Sequence, residues 1–415
     1  MQDKIHDVVI FGATSFVGQL ICEYMVHQFS AKDLSWALAG RSESKLKALK
    51  SQLGAAANDL PLILADANDL KALKNMCQQA KVVVSTVGPY DLYGETLIQA
   101  CAETGTDYCD LTGEAHWISK MLEKYESTAK QSGARIVHCT GFDSIPSDLG
   151  VHFLQGEAKS RFGSHCNQVK LRIKNMRGAA SGGTIATALN IAKQIKMDPQ
   201  VKKVMVNPYA LCPKDHGFKT RQKEIKLEFD ATFQKWTGPF FMSSINTRIV
   251  HRTNALSNQA YGQDFQYNEG MMTGKGIKGK LRARSIYWGL DAFFTGISIA
   301  PIRALLTRFV LPKPGEGPSK EDQAKGFYDF RFVGTTEQDE QIITKVYGDM
   351  DPGYGSTAKI ISQAAVCMAF DVADDVPGGF WTPATLMGDV LIDRLNQYAG
   401  LTFSVSETSH TKTVD

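Results

Sequence analysis

Paired cysteines are missing from this sequence. Its eight cysteines, at positions 22, 77, 101, 109, 139, 166, 212 and 367, are scattered, with no C-x-x-C pair and no accompanying histidine spacing. That spacing excludes a zinc finger, and a chain of 415 residues does not need a disulfide framework to hold a core. The thiols read as buried or free, and no metal is expected. An excess of one charge is missing too: 46 Lys and Arg against 43 Asp and Glu leave a net charge of +3. No nucleic-acid reading module accompanies it, so nucleic acid is not an expected partner. The polar stretch Met1–Asp7 runs straight into an apolar strand without a signal-peptide pattern, which makes the cytoplasm the expected location.

What is present is the composition of a globular protein, 43% apolar and 21% charged, with length enough for two cores. Through the first 150 residues, short apolar runs alternate with amphipathic stretches. Asp7–Phe11, Ser35–Gly40, Leu62–Ala65, Val82–Val87, a segment near Tyr108 and Arg135–Cys139 read as strands. Phe16–Phe29, Glu43–Leu53, Leu70–Ala80, Thr96–Glu103 and Ile118–Gln131 read as helices between them. Strands apolar throughout, each followed by a helix, are what a parallel sheet covered on both faces requires. The fold class expected is α/β: an N-terminal doubly wound Rossmann domain over 1–150, followed by a second α+β domain with a mixed sheet over 151–383. A C-terminal helix and tail over 384–415 is expected to pack back on the first domain.

The first strand-to-helix turn is Gly12-Ala13-Thr14-Ser15-Phe16-Val17-Gly18. Gly12 permits the tight turn, Gly18 lets the helix sit close on the sheet, and the helix start offers free N–H groups to a pyrophosphate. The spacing is G-x-x-G-x-x-G with Ser15 in place of the middle glycine, so a side chain stands where the backbone must approach a ligand. Thr14, Ser15 and Phe16 complete the candidate phosphate loop. At the end of the second strand stand Arg41 and Ser42, where an NAD-selective site carries an acid. A guanidinium and a hydroxyl suit a ribose 2′-phosphate instead, so NADP(H) is the expected cofactor. Asp66 is a candidate for the adenine amino group, with a helix N-cap as the alternative reading. Val87-Gly88-Pro89 follow the fourth strand, where the chain would pass the nicotinamide.

Beyond Gly141-Phe142-Asp143-Ser144-Ile145-Pro146-Ser147 the pattern changes. Ser147 reads as the N-cap of a helix reaching about Phe162, Gln168–Lys174 and Glu224–Phe233 as strands, and Thr184–Lys196 as a helix whose start, Ser181–Thr184, could cap itself or hold an anion. Residues 271–315 stand apart, with Lys275, Lys278, Lys280, Arg282, Arg284, Arg303, Arg308 and Lys313 against a single acid, Asp291. Between the basic clusters, Ser285–Ile302 is nearly all apolar or small. It is too short, too glycine-rich and too interrupted to span a bilayer, and reads either as a core helix with solvated flanks or as a contact for an anionic membrane surface or a greasy substrate on an acidic carrier. Phe327–Val333 returns as a strand, and Ala384–Tyr398 reads as the last helix.

The stretches GATSFVG at 12–18, AGRSESKL at 39–46, STVGPY at 85–90, GTDYCDLTGE at 105–114, GFDSIPSDLG at 141–150, PGEGPS at 314–319, DPGYGSTAKI at 351–360 and GGFWTPATLMGDVLIDRL at 378–395 together resemble the saccharopine dehydrogenase-like oxidoreductases, in particular their trans-acting enoyl reductase branch. The resemblance implies NADP binding, hydride transfer, and a hydrophobic acyl substrate that in this branch is carried by a polyketide synthase. Animal relatives associate with lipid droplets and membranes, which agrees with a peripheral membrane contact through 285–302. A homodimer through the second domain is a further expectation. Tyr90, beside the nicotinamide position, is the first candidate for protonation during enoyl reduction; Tyr93 and Asp143 follow. Two other readings stand beside the enzyme: a non-catalytic lipid-associated protein that keeps a nucleotide pocket, and a saccharopine-type amino-acid dehydrogenase, which the absence of an obvious arginine cluster makes the weaker.

Overall fold

The structure is a computed structural model, and it describes residues 4–30, 32–178, 182–299, 301–303 and 317–409. Two seven-stranded sheets organise it. The first runs in the order β13-β6-β5-β4-β1-β2-β3, where β1 is His6–Phe11, β2 Trp36–Gly40, β3 Leu62–Leu64, β4 Ala80–Ser85, β5 Asp107–Asp110, β6 Arg135–Val137 and β13 Gly379–Trp381. Every pairing in it is parallel. Its central strands are closed to solvent on both faces, β2 along its whole length, because the crossover helices α1 (Phe16–Gln28), α2 (Glu43–Gln52), α3 (Leu70–Gln78), α5 (Glu95–Thr104) and α6 (Ala115–Ser132) cover them. One short helical turn, α4 (Tyr90–Tyr93), precedes α5. The strand order reverses between β1 and β4, which opens a crevice at their carboxyl ends.

The second sheet has the order β14-β12-β11-β7-β10-β9-β8. Its strands are β7 (Gln168–Arg177), β8 (Glu228–Asp230), β9 (Lys235–Pro239), β10 (Gln266–Gly274), β11 (Phe327–Thr335), β12 (Gln341–Gly348) and β14 (Leu401–Ser409). Only β10 and β7 pair in parallel; the rest are antiparallel. Strand β12 alternates half-buried and buried positions, as expected of a sheet with one face on a core and the other toward water. The helix α7 (Ile145–Phe162) leads from the first sheet to the second and packs on β11 and β12, while α10 (Ser243–Leu256) packs on α7 and β10.

Several boundaries differ from the sequence pattern. The helix Thr357–Phe370 and strand β13 lie inside the range 151–383 assigned above to the second domain but belong to the first: the helix packs on α1, β1 and β4, and β13, a stretch with no strand pattern in the sequence, extends the parallel sheet beside β6. The tail strand β14, expected to return to the first domain, instead pairs along β12. Ser144, not Ser147, occupies the N-cap position of α7, and Ser147 is buried in its first turn. Of Glu224–Phe233 only Glu228–Asp230 is strand. The last helix breaks at Gly388, which has φ +45, into Pro383–Leu386 and Gly388–Arg394 with a wide turn over Leu395–Ala399. Of the anion-holding start, Ser181 lies outside the described residues, as do Arg308 and Lys313 of the basic segment.

Candidate active site

The crevice is built first by the turn after β1. Gly12 has φ +86, and a Cβ there would stand 2.6 Å from Thr86 Oγ1 and 2.7 Å from Val87 Cγ2, so glycine is required on both conformational and steric grounds. A Cβ at Gly18 would run into the carbonyl of Gly12; only glycine lets α1 sit this low on the loop. Ser15 is the N-cap of α1, with φ −69 and ψ 163, a backbone conformation open to any residue. Its hydroxyl turns inward. It accepts the Gly18 amide at 2.9 Å and bonds Thr86 Oγ1 at 2.9 Å, and Thr86 in turn donates to the Gly12 carbonyl at 2.9 Å. This chain of bonds cross-braces the loop and leaves the Phe16 and Val17 amides of the first turn pointing along the helix axis toward the crevice.

At the end of β2, Arg41 is exposed and forms no ion pair among the described residues. Ser42 is the N-cap of α2, accepting from the Lys45 amide. At the end of β3, Asp66 closes a local turn, accepting from the Asn68 amide at 2.9 Å, while the N-cap of α3 is Asp69. The N-cap alternative for Asp66 is thereby taken by its neighbour.

On the far side of the switch point, Thr86, Val87, Gly88 and Pro89 leave β4 and enter α4. The buried carboxylate of Glu114 holds that entry, accepting the Tyr90 amide at 2.8 Å and the Asp91 amide at 3.0 Å. A second brace comes from the other sheet's side. In α8 (Gly182–Met197), Thr187 donates to Glu114, and Asn190 and Gln194 donate to Asp91 at 3.3 and 2.9 Å. His116, these amides and Lys120 hold the Asp91 carboxyl down at about 2.

Of the three sequence candidates for acid–base work, Tyr90 is buried in the first core. Its hydroxyl donates to the Ser85 carbonyl at 2.9 Å and accepts the Leu111 amide at 3.1 Å, and burial raises its pKa well above the usual phenol range. Those bonds make it a strut of the β4–β5 edge. Tyr93 is exposed on α4. Asp143 is different. It stands half-buried after β6, beside Gly141, where an added Cβ would come within 3.1 Å of its Oδ2 and 3.1 Å of Thr357 Cγ2. Burial, with the neighbouring Asp110 charge, pushes its carboxyl up to about 7, so near neutral pH it can hold or release a proton.

The structure thus places Gly12, Thr14, Ser15, Phe16 and Gly18 after β1, Arg41 and Ser42 after β2, Asp66 after β3, Val87, Gly88 and Pro89 after β4 and Asp143 after β6, all at the carboxyl edge of the parallel sheet. Sequence reasoning missed four residues that shape it: Thr86, Glu114, Tyr354 and Thr357. Tyr354 is buried edge-on against the Phe16 ring at 4.9 Å, and Thr357 Oγ1 accepts the Phe142 amide at 3.1 Å. Each lies within a motif noted above, but nothing local tells a bracing hydroxyl from a solvated one. The two tight glycines, the open first turn of α1 and the unpaired Arg41 fit a pyrophosphate and a 2′-phosphate.

This chain resembles several known proteins. Residues 8–137 match the saccharopine dehydrogenase NADP binding domain. A trans-acting enoyl reductase of Mycobacterium tuberculosis is 37% identical over 411 residues, covering 95% of this chain and 96% of that protein. Another, from Mycobacterium ulcerans, is 35% identical over 411 residues, covering 94% and 96%. Among solved structures, saccharopine dehydrogenase (L-Glu forming) from Saccharomyces cerevisiae shares the fold, with a TM-score of 0.55 at 13% identity over 98% of this chain and 100% of that one.

Proposed function

This chain belongs to the saccharopine dehydrogenase-like family of trans-acting enoyl reductases, and on that premise we propose that it reduces the carbon–carbon double bond of an enoyl group on a hydrophobic, thioester-borne acyl substrate. It is an NADP-dependent oxidoreductase. NADPH, when bound, supplies the hydride. The chain's own residues hold the phosphates, exclude water and handle the proton. The α1 amides and Arg41 bind the pyrophosphate and 2′-phosphate. Glu114 and α8 fix the turn after Pro89, and Tyr90 keeps that edge rigid. Asp143, protonated in part at neutral pH, delivers a proton to the α-carbon of the substrate.

The observation that favours an acyl substrate over an amino-acid adduct is the engagement of the buried arginines. Arg172 bonds Asp230 and Asn268, Arg248 the Val204 and Met205 carbonyls, and Arg252 the Leu211 and Phe380 carbonyls. None of the three is left to receive the carboxylates that such an adduct carries. The test is purified protein with NADPH and trans-2-enoyl thioesters of increasing chain length, alongside saccharopine with NADP+. We expect NADPH oxidation and a saturated thioester product with the first set, and no NADP+ reduction with saccharopine. Reduction of NADP+ with saccharopine, and no turnover of any enoyl thioester, would refute the proposal.

A further inference from the structure

Phe16 supplies the first amide of α1, and its ring is half-buried. A phosphate loop needs only the backbone at that position, so the ring serves something else. Two segments far along the chain meet it. Tyr354, in the wide turn Pro352–Ser356, stands edge-on to the ring with centroids 4.9 Å apart. The second segment belongs to the stretch PGEGPS noted above, of which Gly317, Pro318 and Ser319 lie among the described residues. A Cβ at Gly317 would run into Cε1 and Cζ of the same ring. Gly317 is exposed and has no left-handed φ, so the glycine answers to the nearness of the ring and not to a turn.

The two segments are tied to each other. Ser319 caps the short helix Lys320–Ala324, accepting the Asp322 amide at 3.1 Å. Buried Gln323 donates from Nε2 to the Pro318 carbonyl at 3.0 Å, and its backbone carbonyl accepts the Asp351 amide at 2.9 Å. The Asp351 carboxylate then accepts the Tyr354 amide at 2.8 Å. Lys320 meets Glu23 of α1 at 2.9 Å; that exposed pair adds little energy, but it shows the segment lying along α1, about two turns past Phe16. We infer that Gly317–Gln323 and Asp351–Tyr354 form a clasp on the Phe16 ring that holds the Phe16 amide at the angle the dinucleotide pyrophosphate requires. A hydrogen bond weakens steeply as its angle departs from linear, so a displaced ring that carries the helix start with it lowers affinity. Gly317 and Tyr354 are thus positioning residues for a cofactor that the first sheet binds. The inference rests on nucleotide binding alone and holds whatever the substrate.

The test is calorimetric titration of the full chain with NADPH, NADH and adenosine 2′-monophosphate, which has the 2′-phosphate but no pyrophosphate. Gly317→Ala should weaken NADPH and NADH by the same factor, about tenfold for one misaligned charge-assisted bond, and leave adenosine 2′-monophosphate within about twofold. Phe16→Ala should weaken both dinucleotides to a similar extent. Gly317→Ala added to Phe16→Ala should cost nothing further, because the ring it strikes is gone. Binding of adenosine 2′-monophosphate is the folding control for each variant. Three results would overturn the inference: unchanged NADPH affinity in Gly317→Ala, which would make the contact packing only; an equal loss for adenosine 2′-monophosphate in protein that still unfolds cooperatively; or the same loss when Gly317→Ala is added to Phe16→Ala.

Discussion

Ser15 permits a prediction whose two outcomes point to different structures. If its hydroxyl faces the loop, Ser15→Ala removes an N-cap and the bond to Thr86. Loss of such a cap costs about 1 kcal/mol, and the Thr86 bond contributes about 1 kcal/mol more, so the first domain should lose ~2 kcal/mol of stability. Ser15→Gly should cost less, because glycine caps nearly as well as serine and the backbone at φ −69, ψ 163 accepts either. Thr86→Val should be coupled to Ser15→Ala by roughly 1 kcal/mol in a double-mutant cycle, since each removes one end of the same bond. NADPH affinity should change less than about tenfold in either Ser15 variant, because the hydroxyl is turned from the phosphate position. Urea unfolding and a fluorescence titration with NADPH measure the two quantities separately. If Ser15→Ala left the unfolding midpoint unchanged and weakened NADPH more than tenfold, the inward-facing geometry would be wrong and the hydroxyl would contact the phosphate.

Four further outcomes are expected. Arg41→Ala should erase most of the preference for NADPH over NADH, a loss of about 10- to 100-fold for one charge-assisted phosphate contact, with NADH affinity unchanged in the same titration. Gly18→Ala should weaken both nucleotides together, because a Cβ there meets the Gly12 carbonyl and lifts α1 from the loop. Asp143→Asn should abolish turnover of an enoyl thioester while leaving NADPH affinity within about threefold, a difference too small to reflect a lost contact; full activity in this variant would remove Asp143 from the proton step. Burial raises the carboxyls of Asp143, Asp148 and Glu269 to about 7, so between pH 4 and 7 the folded chain holds protons that the unfolded chain has released. Their contribution to stability therefore declines as pH rises through that window. Unfolding midpoints measured from pH 5 to 8 should show this decline, and Asp148→Asn should flatten it.

The elements of the first sheet were readable along the chain because burial on both faces leaves continuous apolar strands such as Val82–Val84, and because amphipathic helices betray themselves by period. The cofactor loop was readable for a related reason: a backbone that must approach a phosphate accepts few residues, so Gly12 and Gly18 mark it, and a guanidinium where an NAD-selective site carries an acid is the local sign that points to NADP(H). The outer face of the helix Gly276–Ser298 was only half readable. Its basic and apolar composition is plain in 271–315, but which side faces water depended on Ala283 fitting against Gly238 and Gly279 against Gly274.

Other features required the tertiary structure. In sequence Tyr90 ranks ahead of Asp143 for the proton step. Only the fold shows that the Tyr90 hydroxyl is tied to Ser85 and Leu111, whereas Asp143 stands half-buried beside Gly141 with a raised pKa. Strand β13 is three residues long and the helix Thr357–Phe370 is buried nearly all round, so neither has a periodicity that says which sheet it joins. The inward turn of Ser15 depends on Thr86, 71 residues away. Local chemistry and periodicity determined the Rossmann domain and its nucleotide. Contacts between residues far apart in the chain decided which polar groups became struts and which stayed open for chemistry, because a hydroxyl or carboxyl has no fixed role until its bonding partners are in place.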